Sequence, residues 1–174
     1  MRVYIPATIR MLRQLVADRE LQPINGTAFA ITPTLREAYS SGDDDELGEV
    51  AMAEAARASL RLLASEHLDG SEAVHVTGEP VWRRAVIAAD VDDAKLRPDL
   101  DDAVVRLAGP ISYTQVASAH VDLAEAEPTI AKAIEVVDDA DLGDTEAEFL
   151  VGDAEDHELA WYATQELPFL LELM

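Results

Sequence analysis

The sequence predicts an α+β fold, in one domain that spans residues 1–174. Two β-rich runs near the amino terminus are each followed by a helical pattern, a central repeat has the features of strands, and the last quarter has helical spacing. A chain of this length can bury well over half of its unfolded surface without disulfides. We therefore expect a single domain with a mixed sheet of about six strands, covered by helices.

The first strand is expected over residues 2–5. Pro6 is then expected to open a helix, because apolar residues recur at helical spacing after it. Asn25 and Gly26 are typical of a tight turn, and the next strand is expected over residues 27–32. These two strands, each followed by a helix, are candidates for parallel pairing inside the sheet.

Two helices are expected after the second strand. Thr32 and Pro33 are typical of the cap and the first position of a short helix, which should run through Tyr39. A long helix is expected over residues 45–68, because one apolar stripe runs along it and a stop signal follows at residues 69–70. At about 1.5 Å per residue, the long helix can cross a small sheet.

The charged groups of the long helix have both a functional and a structural interpretation. The acidic run over residues 43–46 is either a site for a cation or basic partner, or a favourable match to the helix dipole, which is the commoner case. Arg57 and Arg61 lie one turn apart and either grip an anion or form ordinary helix-surface pairs.

A self-similarity with a period of 30 residues covers residues 74–98 and 104–128. Each copy reads as a strand, a kink at a proline, a longer strand and a turn. A helix over residues 98–108 is a competing interpretation, since acids fill its first turn and Gly109–Pro110 follows it. The repeat favours a strand at residues 104–107. The matched positions are Val74, Pro80, Val86, Ala89, Val91, Asp92, Ala94 and Pro98 with Val104, Pro110, Val116, Ala119, Val121, Asp122, Ala124 and Pro128.

The last quarter is expected to be helical throughout. One helix should begin near Pro128, and a second should run from Asp144–Thr145 through Val151. A third is expected over residues 154–167, with Asp153 as its cap. The apolar end of the chain should dock on the core, because exposing it would create an aggregation-prone patch.

Composition excludes several classes of function. The chain has 35 acidic and 13 basic residues, a net charge of −22, and no Cys. Such a charge argues against nucleic acid as a partner, and the lack of Cys excludes thiolate chemistry and Cys-ligated metals. No run of residues is apolar enough for a membrane span, so we expect a cytoplasmic protein without a membrane partner. The sequence has no signature for a cofactor or metal, and it leaves the oligomeric state open.

Charge is also uneven along the chain. Residues 1–42 carry a net charge of +2, and the remainder carries −24. After Lys132 there is no Lys or Arg, while thirteen acids follow between Glu135 and Glu172. This asymmetry suggests an acidic surface that steers a basic partner.

The candidate site lies in the predicted helix 154–167. Helical spacing would place Glu158, Trp161, Tyr162 and Gln165 on one face, with His157 one turn before Trp161. These side chains, with Tyr4 of the first strand, either line a pocket or interaction site, or simply pack the helix onto the sheet. The commoner use of aromatic residues at this spacing is packing.

Three segments resemble a known family: residues 2–8 (RVYIPAT), 26–33 (GTAFAITP) and 157–167 (HELAWYATQEL). They are similar to those of a family of uncharacterised acidic proteins from actinobacteria. The likeness covers nearly the whole chain. It implies a cytoplasmic bacterial protein, and it transfers no activity or catalytic residue.

The sequence leaves the biochemical activity open and supports three hypotheses. The favoured one is a non-enzymatic regulatory or adaptor module, whose acidic surface binds a basic protein partner. The second is a metal-assisted hydrolase that uses Asp153, Glu155, Asp156, His157 and Glu158. The third is a small-molecule-binding domain with a pocket between the sheet and the terminal helix.

Overall fold

The structure, a computed structural model, describes residues 1–39, 41–69 and 81–174. Within these residues the chain forms nine strands and six helices in an α+β fold, as predicted. The strands are β1 (Arg2–Ala7), β2 (Glu20–Leu21), β3 (Thr27–Phe29), β4 (Ala85–Asp90), β5 (Ala94–Leu96), β6 (Val104–Leu107), β7 (Ile111–Ser112), β8 (Val116–Val121) and β9 (Ala160–Ala163). The helices are α1 (Ile9–Asp18), α2 (Pro33–Ala38), α3 (Asp44–Asp69), α4 (Glu127–Asp141), α5 (Thr145–Glu155) and α6 (Leu167–Glu172).

Seven strands form the main sheet, in the order β5-β6-β3-β1-β4-β8-β9, and β2 pairs with β7 in a separate ribbon. Every pairing in the described part of the chain is antiparallel, so the expected parallel pairing of the first two long strands is wrong. The reason lies after α1. Arg19 adopts a left-handed conformation with φ 61°, and the extended segment that follows returns the chain to the end of β1, where β3 begins.

The two faces of the sheet bury different clusters. Val3, Ile5, Ile87 and Ala119 point to the face that α1 and α6 cover, together with Leu12 of α1. Tyr4, Phe29 and Val86 point to the other face, under α2 and the first half of α3. Because successive side chains of a strand alternate between faces, the short apolar runs supply both cores.

Helix α3 is the long helix that the sequence predicts, one residue longer at each end. Its second half packs on α4 and α5 and forms a third cluster, which contains Leu60, Leu63, Ile130 and Val151. Ser59 fixes α3 to the sheet: its hydroxyl donates to the carbonyl of Ala7 at 2.6 Å and accepts from the amide of Ala85 at 3.0 Å.

Local signals at the amino-terminal helices are mostly confirmed. Thr32 caps α2, with Pro33 in its first turn. Asn25 and Gly26 both have positive φ, as a tight turn requires, and a side chain at Gly26 would approach the carbonyl oxygen of Leu107 to 2.7 Å.

The prediction that Pro6 opens a helix is wrong, because Pro6 continues β1. Thr8 is the cap of α1, because its hydroxyl accepts from the amide of Met11 at 3.3 Å.

The 30-residue repeat is preserved in its longer strands only. β4 and β8 occupy matching positions and pair with each other, with Val86 opposite His120. Residues 94–96 form β5, whereas their counterparts 124–126 form a 3-10 turn that leads into α4. Residues 104–107 form β6, which decides against a helix over 98–108. The first strand of the first copy lies outside the described residues.

The expected helix over residues 154–167 is wrong. Helix α5 ends at Glu155, residues 160–163 form the edge strand β9, and only the short α6 follows. In a helix, the carbonyl of His157 would accept from the amide of Trp161. It accepts instead from Nη2 of Arg84 at 2.8 Å, and residues 160–163, which include two residues that favour strands, pair with β8.

Candidate functional site: the acidic carboxy-terminal surface

The thirteen carboxylates between Glu135 and Glu172 are all exposed. We call the part formed by the outer side of α4 and α5, and by the segment between α5 and β9, the acidic carboxy-terminal surface. Its acids face water because the apolar stripes of both helices point inward. The buried stripes are Ile130, Ala133, Ile134, Val137 and Ala140 in α4, and Ala147, Val151 and Ala154 in α5.

A tight turn joins α4 to α5. Gly143 has φ 97°, a conformation that favours glycine, and Asp144 caps α5 by accepting from the amide of Ala147 at 2.9 Å. Alanine on both facing stripes lets the two helices approach closely. The turn and the Asp144 cap therefore fix the packing of α4 against α5, a pair that we call the α4–α5 hairpin. Charged residues occupy the outer side of this hairpin.

Arg57 and Arg61 attach this hairpin to α3. Nη1 of Arg57 lies 2.9 Å from Oε1 of Glu155, and Nε of Arg61 lies 2.8 Å from Oδ2 of Asp141. The hydrogen bond from Arg61 holds the pKa of Asp141 below its usual range. Pairing is therefore the observed role of these two arginines, although their partners lie on other helices and not on α3.

Large apolar side chains are exposed among these carboxylates. Leu142, in the turn between the helices, is 87% exposed, and Phe149, in the middle of α5, is 72% exposed. Helical spacing places Glu146 and Asp153 one turn before and after Phe149. A side chain at Gly152 would meet nothing within 4 Å, so no close packing requires a glycine there.

An open groove of about 380 Å³ lies beside the end of α5. It contains His157, one of the residues that the sequence singled out. Its lining combines both signs of charge, with Lys132 from α4 and the carboxylates of Asp153 and Asp156. The lining residues are Thr129, Lys132, Leu150, Asp153, Asp156 and His157.

A buried ion pair fixes the segment that links α5 to β9. Arg84 and Asp122 are both buried, and Nε and Nη2 of Arg84 donate to the two carboxylate oxygens of Asp122, each at 2.8 Å. The amide of Arg84 donates to the same carboxylate at 2.8 Å, and its Nη2 also reaches the carbonyl of His157. The pair thus joins β4, β8 and the carboxy-terminal segment at one point.

The structure separates the residues of the predicted site. Trp161 lies on the same sheet face as His120 and Tyr4, but Tyr162 packs on the opposite face with α1 and α6. Alternation along β9 causes this separation, because neighbouring side chains of a strand point to opposite faces. His157 lines the groove, and the exposed Glu158 and Gln165 lie on either side of β9.

Sequence reasoning missed the pair formed by Ser118 and His120. Oγ of Ser118 lies 3.0 Å from Nε2 of His120, and Trp161 lies directly across from His120 on β9. Burial, and then the charge of Arg2, lower the pKa of His120, so the ring is neutral at pH 7. Polar residues at alternate positions of β8 were the available signal, but their neighbour β9 was interpreted as helix.

The acids considered for a metal-assisted hydrolase do not converge on one point. Among the residues that the structure describes, no three His, Asp or Glu side chains are grouped closely enough to bind a metal ion together. In the same part of the chain, each helix is either too short or too polar to cross a bilayer.

Comparison with known proteins identifies a family without an assigned role. The model of a family of unknown function, DUF6912, matches residues 1–171. No curated protein and no solved structure matches the chain significantly.

Proposed function

Because the chain belongs to DUF6912, a family of unknown function, its role has to be inferred from its surface, and we propose that it is a non-enzymatic regulatory or adaptor module. Its acidic carboxy-terminal surface would bind a basic partner protein. The partner's Lys and Arg side chains would contact carboxylates of α4 and α5, and its apolar side chains would cover Leu142 and Phe149.

One observation carries this proposal: Phe149 is 72% exposed between carboxylates on a helix whose other face is buried. Charge alone keeps a protein soluble and does not require a partner. An exposed aromatic side chain, however, exposes apolar surface to water, and such residues are enriched at the centres of protein interfaces. Aromatic and acidic side chains together suit a partner that is both basic and amphipathic.

Charge and apolar contact would make different contributions to binding. At physiological salt, interactions between exposed charges extend about 8 Å, so the carboxylates would mainly accelerate association and select basic partners. Individual exposed ion pairs contribute only about 0 to 1 kcal/mol. Most of the affinity would therefore come from burying Phe149 and Leu142.

The first test measures the affinity of the whole chain for a synthetic peptide that alternates Arg with Leu. We expect affinity at low salt that falls as salt is raised. The triple variant Glu146→Gln, Asp153→Asn, Asp156→Asn should bind about tenfold more weakly, and Phe149→Ala should lose a similar factor. Isothermal titration calorimetry measures both effects.

The matched control neutralises three exposed acids in residues 1–42, with Asp18→Asn, Glu20→Gln and Glu37→Gln. It changes the net charge by the same amount, so its affinity should stay close to that of the original chain. Equal losses in both triple variants would mean that only net charge matters, and would contradict the proposed surface.

The groove beside α5 favours a second candidate function, the binding of a small molecule. Its volume of about 380 Å³ lies at the lower end of the range for ligand sites. Lys132, Asp153 and His157 would suit a zwitterionic ligand. Thermal-shift screening of amino acids tests this candidate, and a stabilisation that Lys132→Ala removes would support it over the first.

A further inference from the structure

We infer that β9 is the docking edge for an extended, basic segment of the partner, which adds to the main sheet as a further strand beside Trp161. The inference rests on the proposed function and specifies how the partner binds. β9 is the last strand of the sheet at this edge within the described residues. An open strand edge presents amides and carbonyls that a second chain can pair with.

The hydrogen bonds of β9 show which groups face the open edge. The amide of Ala163 donates to Oε1 of Glu166 at 3.1 Å, so it does not donate to β8. Every second residue of an antiparallel strand presents its amide and carbonyl to the same side. Trp161 therefore also directs its amide and carbonyl to the open edge, where one residue of an added strand can pair with both.

The Trp161 side chain suits a basic occupant. It is 61% exposed and lies across from His120, so one side of the indole is free for a partner. An Arg or Lys side chain placed over the ring would gain a cation–π contact. The exposed carboxylates of Glu158 and Glu166 lie at the two ends of β9, and no Lys or Arg follows Lys132 in the sequence.

A second copy of this chain is a poorer occupant. Each copy carries a net charge of −22, and pairing β9 with itself would bring Glu158 and Glu166 of both copies together. Like charges at such short distances oppose association. Charge complementarity therefore selects a basic strand over an identical one.

The test compares two peptides of equal charge that alternate Arg with Val. In the second peptide, the amides that would face β9 are N-methylated, which blocks strand pairing and leaves the charge unchanged. Binding is followed by the fluorescence of Trp161 in a Trp82→Phe chain. We expect the methylated peptide to bind at least about tenfold more weakly, and Trp161→Ala to weaken the unmethylated peptide by a similar factor, as measured by calorimetry.

Phe169→Ala is the matched control, because Phe169 is an aromatic residue that is 68% exposed and lies in α6, not in the edge strand. The affinity of this variant for the unmethylated peptide should not change.

If both peptides bind equally well, or if Trp161→Ala has no effect, the inference is overturned while the proposed function stands. If neither these nor the Arg–Leu peptide binds at low salt, the proposed function fails as well. A dimer in sedimentation that Trp161→Ala dissociates would assign the edge to a second copy and also overturn the inference.

Discussion

At the scale of single residues, Arg84 and Asp122 determine where the candidate surface lies. Their ion pair is buried and makes four hydrogen bonds, the fourth of which holds the carbonyl of His157. Removing both charged groups from water has a large desolvation penalty, so the pair is not itself evidence of high stability. Its structural role is to direct the chain out of α5 and into β9.

We expect Asp122→Ala to lower the free energy of unfolding by about 3 to 5 kcal/mol, because it leaves a buried guanidinium without its carboxylate. Urea unfolding measures the loss. The double variant Arg84→Met, Asp122→Leu should recover much of it, since neither charge is then buried. A double variant that is less stable than Asp122→Ala would show that the ion pair contributes net stability, contrary to this expectation.

Glu54 provides a pH-dependent test. Burial, followed by the charge of Asp101, raises its pKa above the ordinary value of 4.5. The folded chain then binds a proton more readily than the unfolded chain, so stability falls as pH rises from 4.5 through the raised pKa. Above the raised pKa the whole loss is present, and well below pH 4.5 it is absent.

We therefore expect Glu54→Gln to raise the midpoint of urea unfolding at pH 7, with a gain that shrinks as pH falls through the raised pKa and vanishes well below pH 4.5. Glu49→Gln, at an exposed position of the same helix, controls for the change in net charge. Equal gains in the two variants, or a gain for Glu54→Gln that grows in acid, would contradict this account.

At the scale of secondary structure, elements with a long apolar period or a clear cap were predictable. α3 has the first signal and α2 has the second, and the observed bounds of both lie within one residue of the prediction. β9 has neither, because four residues are too few to distinguish a strand from a helix by periodicity. The conformation of β9 depends on Arg84 and on β8, which are distant in sequence. The residues near β9 in the sequence therefore do not predict a strand there.

The candidate site was predictable to the same extent. The uneven distribution of charged residues along the sequence located the acidic surface, since this signal needs no knowledge of the three-dimensional structure. The predicted placement of Trp161 and Tyr162 on one face was wrong, because it assumed a helical period where the chain alternates. The pair Ser118–His120 and the exposed Phe149 needed the three-dimensional arrangement.

At the scale of the whole molecule, repulsion among the many negative charges of the chain opposes the folded state. A net charge of −22 destabilises the folded state, and salt screens the interactions between exposed charges that lie more than roughly one Debye length apart. We expect the melting temperature, measured by circular dichroism, to rise as sodium chloride is added. The rise should be smaller for the variant with Glu146, Asp153 and Asp156 neutralised. A melting temperature that falls with salt would show that attractive pairs outweigh repulsion.

The location of the bound partner tests the central claim most directly. Amide chemical shifts of the ¹⁵N-labelled chain would be followed by NMR as the Arg–Leu peptide is added at low salt. The account predicts that the largest shifts lie at Phe149, Gly152, Asp153 and Trp161. Shifts concentrated in residues 1–42, or none at saturating peptide, would contradict it.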